Sequence, residues 1–290
     1  MAWVALLGER PVVELAGPDA RRFANGMFTN NVRDLPVGGS QASAMADDRG
    51  RLIGLMELHA VADDRLLLVL EGMTAEAFAE RYERYVVFDD VEIIDHGPHA
   101  LITVQGEGAA QHLAEASLPV PEPGHHAAHG AGWVVSRDRG GKGFDLLGPT
   151  PMLAPDAEGA AEVEALRVRA GRVAFPRDIA PPALPHEHGL RDTVLHFEKG
   201  CYLGQEQIHR IEVMGKPRRA LALFHLIEGG EEGDEVVHDG KKVGRITSVV
   251  PHPDTGHIGL AVVRKPAHEP GAAVLVGEHP AVALPLPLAR

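Results

Sequence analysis

Apolar and polar positions along the chain predict short strands interrupted by a few helices. "PVVEL" (11–15) is a β-rich run, and "GPDARRFANGMF" (17–28) reads as a helix with Pro18 where a first turn accepts it. "RLIGLMELHAV" and "RLLLVLEG" are apolar runs joined by "ADDR", which predicts a hairpin. In "MTAEAFAERYERYVVF", Thr74 suits an N-cap, and Phe78, Tyr82, Tyr85 and Val86 fall on one helical face. "DDVEIID" and "ALITVQG" read as two further strands, and "GAAQHLAEAS" as a short helix. "GWVVSRD" and "GFDLLGP" flank the glycine-rich "RGGK" as another hairpin. "DAEGAAEVEALRVRAG" is a helix that stops at Gly171. This order predicts an α+β fold with antiparallel pairing rather than a repeating βαβ series.

The helical period disappears after about Arg219. "RALALFHLIEG", "EVVHDGKKVGRITSVV", "HIGLAVVRK" and "AAVLVGE" are all β-like, and Asp239-Gly240 is a two-residue hairpin signal. A small closed or sandwich β-domain is expected there. The boundaries drawn are 1–215 for a two-lobed N-terminal region and 216–290 for the C-terminal domain.

Composition narrows the function classes. The formal net charge of −13 argues against a broad phosphate-tracking surface and stable nucleic-acid binding. One basic cluster remains, "HRIEVMGKPRRA" (209–220), read first as a solvated loop or strand edge. No apolar run approaches a membrane span, and the N-terminal stretch is a poor signal peptide because Glu9 and Arg10 interrupt it. The single cysteine forbids an intramolecular disulfide. The expectation is a cytoplasmic protein with no membrane contact.

That cysteine, Cys201, lies in "FEKGCYLGQE" among Glu198, Lys199, Gln205 and Glu206, not among the aliphatic residues that usually surround a structural thiol. Lys199, with Arg210 as a possible neighbour, would favour the thiolate, and Gly200 and Gly204 would let backbone N–H groups approach a ligand. No local signature supplies a partner base. The histidines of "HHAAHG" (His125, His126, His129) and "PHEHG" (His186, His188) lack metalloprotease spacing, so no metal site is assigned. "QGEGAA" and "RDRGGKG" fit no nucleotide fingerprint and read as turns.

"KGCYLGQE" resembles the K-G-C-[FY]-x-G-Q-E signature of the YgfZ family of folate-binding proteins, relatives of the glycine-cleavage T-protein, the aminomethyltransferase. "AGPDARRFANGMFTNNV" resembles the family's opening strand–helix segment, and "ALRVRAG" its Arg-x-x-x-Gly helix end. "LPHE" sits where relatives carry Pro-Gln-Glu, and "GKKVGRITSVVPHP" is similar to the Gly-x-x-[IV]-Gly-x-[IV]-Thr-Ser hairpin of the C-terminal barrel. The resemblance implies a three-lobed cloverleaf around a channel for tetrahydrofolate or a related reduced folate. It also implies a role beside iron–sulfur proteins or cluster carriers, including enzymes that modify tRNA. Lys199, Gly200, Cys201, Tyr202, Gly204, Gln205 and Glu206 fall on the signature, and Arg167 and Gly171 on the helix-end motif. Asp145 lies where the T-protein has a pterin-holding glutamate.

One departure matters. Gly54 and Leu55 stand where the T-protein carries its Asp-Asp pair, so aminomethyl transfer of the T-protein type lacks its central acid. The reading is therefore a tetrahydrofolate-binding accessory protein for iron–sulfur assembly or repair, with Cys201 as its reactive group and Arg167, Lys199 and Arg210 as candidate folate-tail cations. A folate-dependent one-carbon transferase and a protein–protein adaptor with a vestigial folate channel are the alternatives.

Overall fold

The protein, described here from a computed structural model over residues 1–215, 217–253 and 256–288, is built on a duplicated strand–helix plan. The first half runs β1 (Trp3–Ala16), α1 (Ala20–Met27), β2 (Ser40–Ala46), β3 (Leu52–Ala62), β4 (Arg65–Glu71) and α2 (Ala75–Tyr82). The second repeats it as β5 (Glu92–Gln105), α3 (Ala109–Glu115), β6 (His126–His129), β7 (Gly132–Ser136), β8 (Gly143–Gly148) and α4 (Gly159–Arg169). The sheet order β2-β3-β4-β1-β5-β8-β7-β6 is a palindrome under this equivalence. Two like lobes thus meet along β1 and β5, which pair antiparallel from Trp3↔Gln105 to Ala16↔Glu92.

The eight strands curl until the two ends of the sheet touch. Gly39 bridges His125, Ser40 N donates to Gly124 O at 2.7 Å, and His126 N donates to Gly38 O at 2.9 Å. At this seam Ser40 Oγ lies 2.8 Å from His59 Nδ1 and 3.1 Å from His126 Nδ1. Burial lowers both imidazole pKa values, that of His59 to about 3, so the pair is neutral at ordinary pH.

Helices cover the outside of the ring. Phe23, Phe28, Phe78 and Tyr82 pack over Leu15, Leu58, Leu66 and Leu68 in the first lobe. Leu113 of α3 packs with Ile102, Val104, Val134 and Leu146 in the second. A smaller apolar layer of Val12, Leu67, Val69, Leu101 and Leu147 forms another cluster on the sheet.

A connecting segment follows, carrying α5 (Arg191–Val194) and α6 (Gln205–Met214). The third lobe is a closed barrel of β9 (Arg219–Leu226), β10 (Glu235–His238), β11 (Lys241–His252), β12 (Gly256–Arg264), β13 (Ala273–Val276) and β14 (His279–Leu284), around Phe224, Ile246 and Val263. The architecture is the expected α+β cloverleaf with a C-terminal barrel.

Local expectations fare well where turn chemistry sets them. Thr74 Oγ1 accepts from Ala77 N at 3.2 Å, and the hairpins at "ADDR" and "RGGK" form. Asp239 (φ 50°) and Gly240 (φ 71°) both have the positive φ that a two-residue hairpin of this type needs. Three expectations are corrected. "DDVEIID" and "ALITVQG" belong to one strand, β5, because Pro98 faces Pro11 at an irregularity in the pairing, where neither removes a ladder bond from an N–H-bearing partner. "PVVEL" is only the end of the longer β1. The first half of the basic cluster is helical, as part of α6, rather than a loop or strand edge, and its Lys216 lies outside the described residues.

Candidate functional site

Where the curled sheet meets α4 and the connecting segment, a cavity of about 430 Å³ opens. That volume lies within the roughly 300–1,000 Å³ of small-molecule sites. The period of two along a strand puts Leu55 and Glu57 of β3 on this face, with Val69 and Glu71 of β4. The register pairs Leu55 with Glu71 and Glu57 with Val69, so acid and aliphatic side chains alternate across the wall. Gly54 points away, toward Met45. The position occupied by an acid in the T-protein pattern is therefore an apolar wall residue here, and Glu71 is its cross-strand neighbour.

Charge is concentrated in this cavity. Its lining holds six arginines (Arg10, Arg137, Arg139, Arg167, Arg172, Arg177) and four carboxylates (Glu57, Glu71, Asp138, Glu164) in a chain of net charge −13. Glu57 pairs with Arg137, and burial, only partly offset by Arg137 and Arg139, raises its pKa. Arg172 meets Asp138 at 3.2 Å. Arg10 donates to the carbonyls of Leu7 and Glu9 at 3.0 Å and, among the described residues, meets no carboxylate. Arg137 Nε and Arg172 Nε are buried donors without a partner among the described residues. Unmade hydrogen bonds of this kind are costly, so these atoms favour an acceptor arriving from the cavity. Arg137 and Arg139 lie in "RDRGGKG", which in the sequence reads as a turn, and Glu57 lies in mid-strand with no motif around it, so nothing in the sequence marks them as site residues.

Arg167 and Gly171 line the cavity, but Arg167 is already committed. Its guanidinium bonds Asp178 Oδ2 at 2.7 Å, Ser248 Oγ at 2.8 Å and Glu164 at 2.6 and 2.8 Å. Ser248 Oγ and Thr247 Oγ1 both donate to Asp178 Oδ1, at 2.7 and 2.5 Å. Burial opposes the Arg167 charge, yet Glu164 and Asp178 outweigh it and hold its pKa above the ordinary value. The helix-end motif and the Thr-Ser hairpin of the barrel, far apart in sequence, are two sides of one joint. Asp178, which no sequence motif marks, is the bridge. Gly171 (φ 65°) closes α4 against Leu286, whose Cδ1 would lie 2.5 Å from an added Cβ.

Asp145 is buried in β8 and holds Arg139 with both oxygens, at 2.6 to 3.1 Å. It lies behind the cavity wall and orients a cation rather than facing the space. None of the "KGCYLGQE" residues lines the cavity. The Lys199 ammonium is buried, donating to Phe28 O at 2.5 Å and Asn30 O at 2.8 Å and lying 4.9 Å from the Tyr202 ring centroid. Burial, reinforced by Arg33, lowers its pKa to about 7. Tyr202 is buried too, and its backbone N–H donates to Gln205 Oε1 at 3.1 Å. Leu203 N bonds Gly26 O, and the Lys199 carbonyl accepts from Asn25, so the loop is tied to α1. Gly204 (φ 81°) sits so close to the β2–β3 turn that a Cβ would fall 2.3 Å from Asp47 O. Only Gly200, Cys201, Glu206 and Arg210 of the named residues here face solvent. Among the described residues, no three metal-ligating side chains converge.

Comparison with known proteins fits this layout. Residues 10–120 match the family model of the GCVT N-terminal domain, and residues 219–288 match that of the glycine cleavage T-protein C-terminal barrel domain. The chain thus matches both domains of the glycine cleavage T-protein, one in each half. A chloroplastic Arabidopsis thaliana protein, provisionally named a transferase, is 27% identical over 92% of this chain, which spans 66% of that protein's length. The aminomethyltransferase of Bacillus subtilis is 25% identical over 93% of this chain and 81% of its own. The crystal structure of the glycine cleavage system aminomethyltransferase T from Bartonella henselae superposes with a TM-score of 0.86, covering 99% of this chain and 86% of that one, at 21% identity, which shows the shared T-protein fold. Between the two matched T-protein domains lie the cavity arginines 137–177 and the whole Cys201 loop. No described helix is long and apolar enough to cross a membrane.

Proposed function

We propose that this protein binds a reduced folate, such as tetrahydrofolate, in the central cavity and acts as an accessory factor for iron–sulfur proteins rather than as an aminomethyltransferase. The observation that carries the folate reading is the arginine surplus of the cavity, with its orphaned Nε donors, inside a strongly acidic chain. Arg10, Arg137 and Arg172 would hold the carboxylates of the glutamate tail, and Glu57 and Glu71 would accept from the N–H groups of the pterin. Folate, when bound, supplies ring nitrogens that carry one-carbon units. The chain's own contribution is to orient the ligand and keep its anionic end paired. Leu55 on the wall supports a binding role over transfer, because no proton moves through a leucine. The iron–sulfur reading rests on the YgfZ-like signature and on the exposed Cys201, free to meet another molecule.

Calorimetry with tetrahydrofolate tests the first part. Saturable binding that weakens as salt rises, and that falls about tenfold or more in Arg137→Gln, is expected. No binding at millimolar ligand would leave the adaptor reading. Complementation of a deletion strain tests the second part: Cys201→Ser, at matched expression, should restore less iron–sulfur enzyme activity than the unaltered chain, and equal rescue would sink the role of the thiol. Glu71, directly across from Leu55, favours a second reading as a one-carbon transferase. Methylene-folate formation abolished by Glu71→Gln while tetrahydrofolate affinity is retained would establish it.

A further inference from the structure

A second cavity, of about 820 Å³, lies on the barrel, apart from the folate site. Five cations line it (Arg218, Arg219, Lys242, Arg264 and Lys265) against one carboxylate, Glu187. The strand register sets most of these cations in like-charged pairs at the end of the β9–β12 ladder, where both pairs reach the groove. Arg264 of β12 stands directly opposite Arg219 of β9, and on the next rung Lys265 N donates to Arg218 O at 3.1 Å. Like charges directly opposite each other across a strand pair destabilise it. Two consecutive rungs of this kind stand in a chain with 41 acidic residues.

The protein neutralises only part of the cluster. Glu187 Oε2 accepts from Arg219 Nη2 at 2.7 Å, and Lys242 pairs with Glu235 outside the groove. Arg218, Arg264 and Lys265 are exposed and have no ion pair among the described residues. Three free cations around one concavity form a local positive field that focuses anions despite the negative whole.

We infer that this groove binds a compact oxyanion carrying two or more charges, of the diphosphate class, as free pyrophosphate or as a nucleoside diphosphate. Guanidinium groups fork onto phosphate oxygens, and two of them with an ammonium suit a ligand with adjacent phosphates. The acidity of the rest of the surface disfavours a long nucleic-acid strand, which would need cations along its whole track.

Calorimetry on the full chain with pyrophosphate and with a nucleoside diphosphate tests the inference. One-to-one binding of either is expected, at least tenfold weaker in Arg264→Gln/Lys265→Gln and in Arg218→Gln, and unchanged by saturating tetrahydrofolate. These side chains are exposed, and an unaltered melting temperature will verify that the variants are folded. Absence of saturable binding by both ligands, retention of full affinity in the double variant, or competition by folate would each overturn it. So would tighter binding of a single-stranded RNA oligonucleotide whose salt dependence steepens with length, or equal binding of a glutamate tripeptide.

Discussion

The central cavity and the Cys201 loop solve opposite problems with the same residue types. In the cavity, arginines from strands, turns and a helix remote in sequence converge, and two keep donors at its wall that are unpartnered among the described residues. In the loop, a contiguous octapeptide buries its lysine and tyrosine and presents its thiol outward. A conspicuous sequence signature can therefore be mostly a docking device. Lys199, Tyr202, Gly204 and Gln205 fasten the loop to α1 and to the β2–β3 turn, and Cys201 is what they display.

The sharpest test of this contrast is at the joint beneath the cavity. Asp178→Ala leaves the buried Arg167 guanidinium with Glu164 as its remaining acid partner, strips Thr247 and Ser248 of their shared acceptor, and should cost about 3–5 kcal/mol in denaturant unfolding. A loss under 1 kcal/mol would mean the joint is not structural.

Lys199 gives a pH-dependent test of the fastening role. Its folded pKa, about 7, lies below the unfolded value of roughly 10.4, so the unfolded chain binds more protons between those limits. Stability should rise from pH 7 to 10 by on the order of a few kcal/mol relative to Lys199→Met, in which that rise is missing. Parallel pH profiles for the two chains would contradict the burial of the charge.

The two glycines flanking Cys201 sharpen the comparison further. Gly204→Ala brings a Cβ against Asp47 O and should destabilise by roughly 2–3 kcal/mol, whereas Gly200→Ala meets open space and bears only its positive-φ strain, about 1 kcal/mol. Equal losses would mean the close approach at Gly204 does not matter. Smallest of all, Cys201→Ser should change stability by less than about 0.5 kcal/mol and leave tetrahydrofolate affinity unchanged.

Much of the fold is legible in local chemistry. The "ADDR", "RGGK" and Asp239-Gly240 turns fix three hairpins, and Thr74 and Gly171 mark helix ends as written. The strands "SQASAMA" and "HAAH" are not legible, because alanine, serine and histidine carry no β-branched signal, although each pairs with the strand that follows it. The same holds for the cavity. Arg137 and Arg139 look like hairpin residues until the ring brings them opposite Glu57. Arg167 and the Thr247-Ser248 pair are visible as separate motifs, but their meeting at Asp178 depends on a stretch, "RVAFPRDIAPPALPHEHG", with no period to read.

The seam between β2 and β6 has a bearing on self-association. An open eight-stranded sheet would offer two rows of unpaired amides to other chains, the usual route to edge-to-edge aggregation. Here each end of the sheet is the other's cover, held by two backbone hydrogen bonds and a serine between two neutral imidazoles. Closure of the ring thus covers both sheet edges as well as shaping the cavity. The price of losing the seam would be two sticky edges at once.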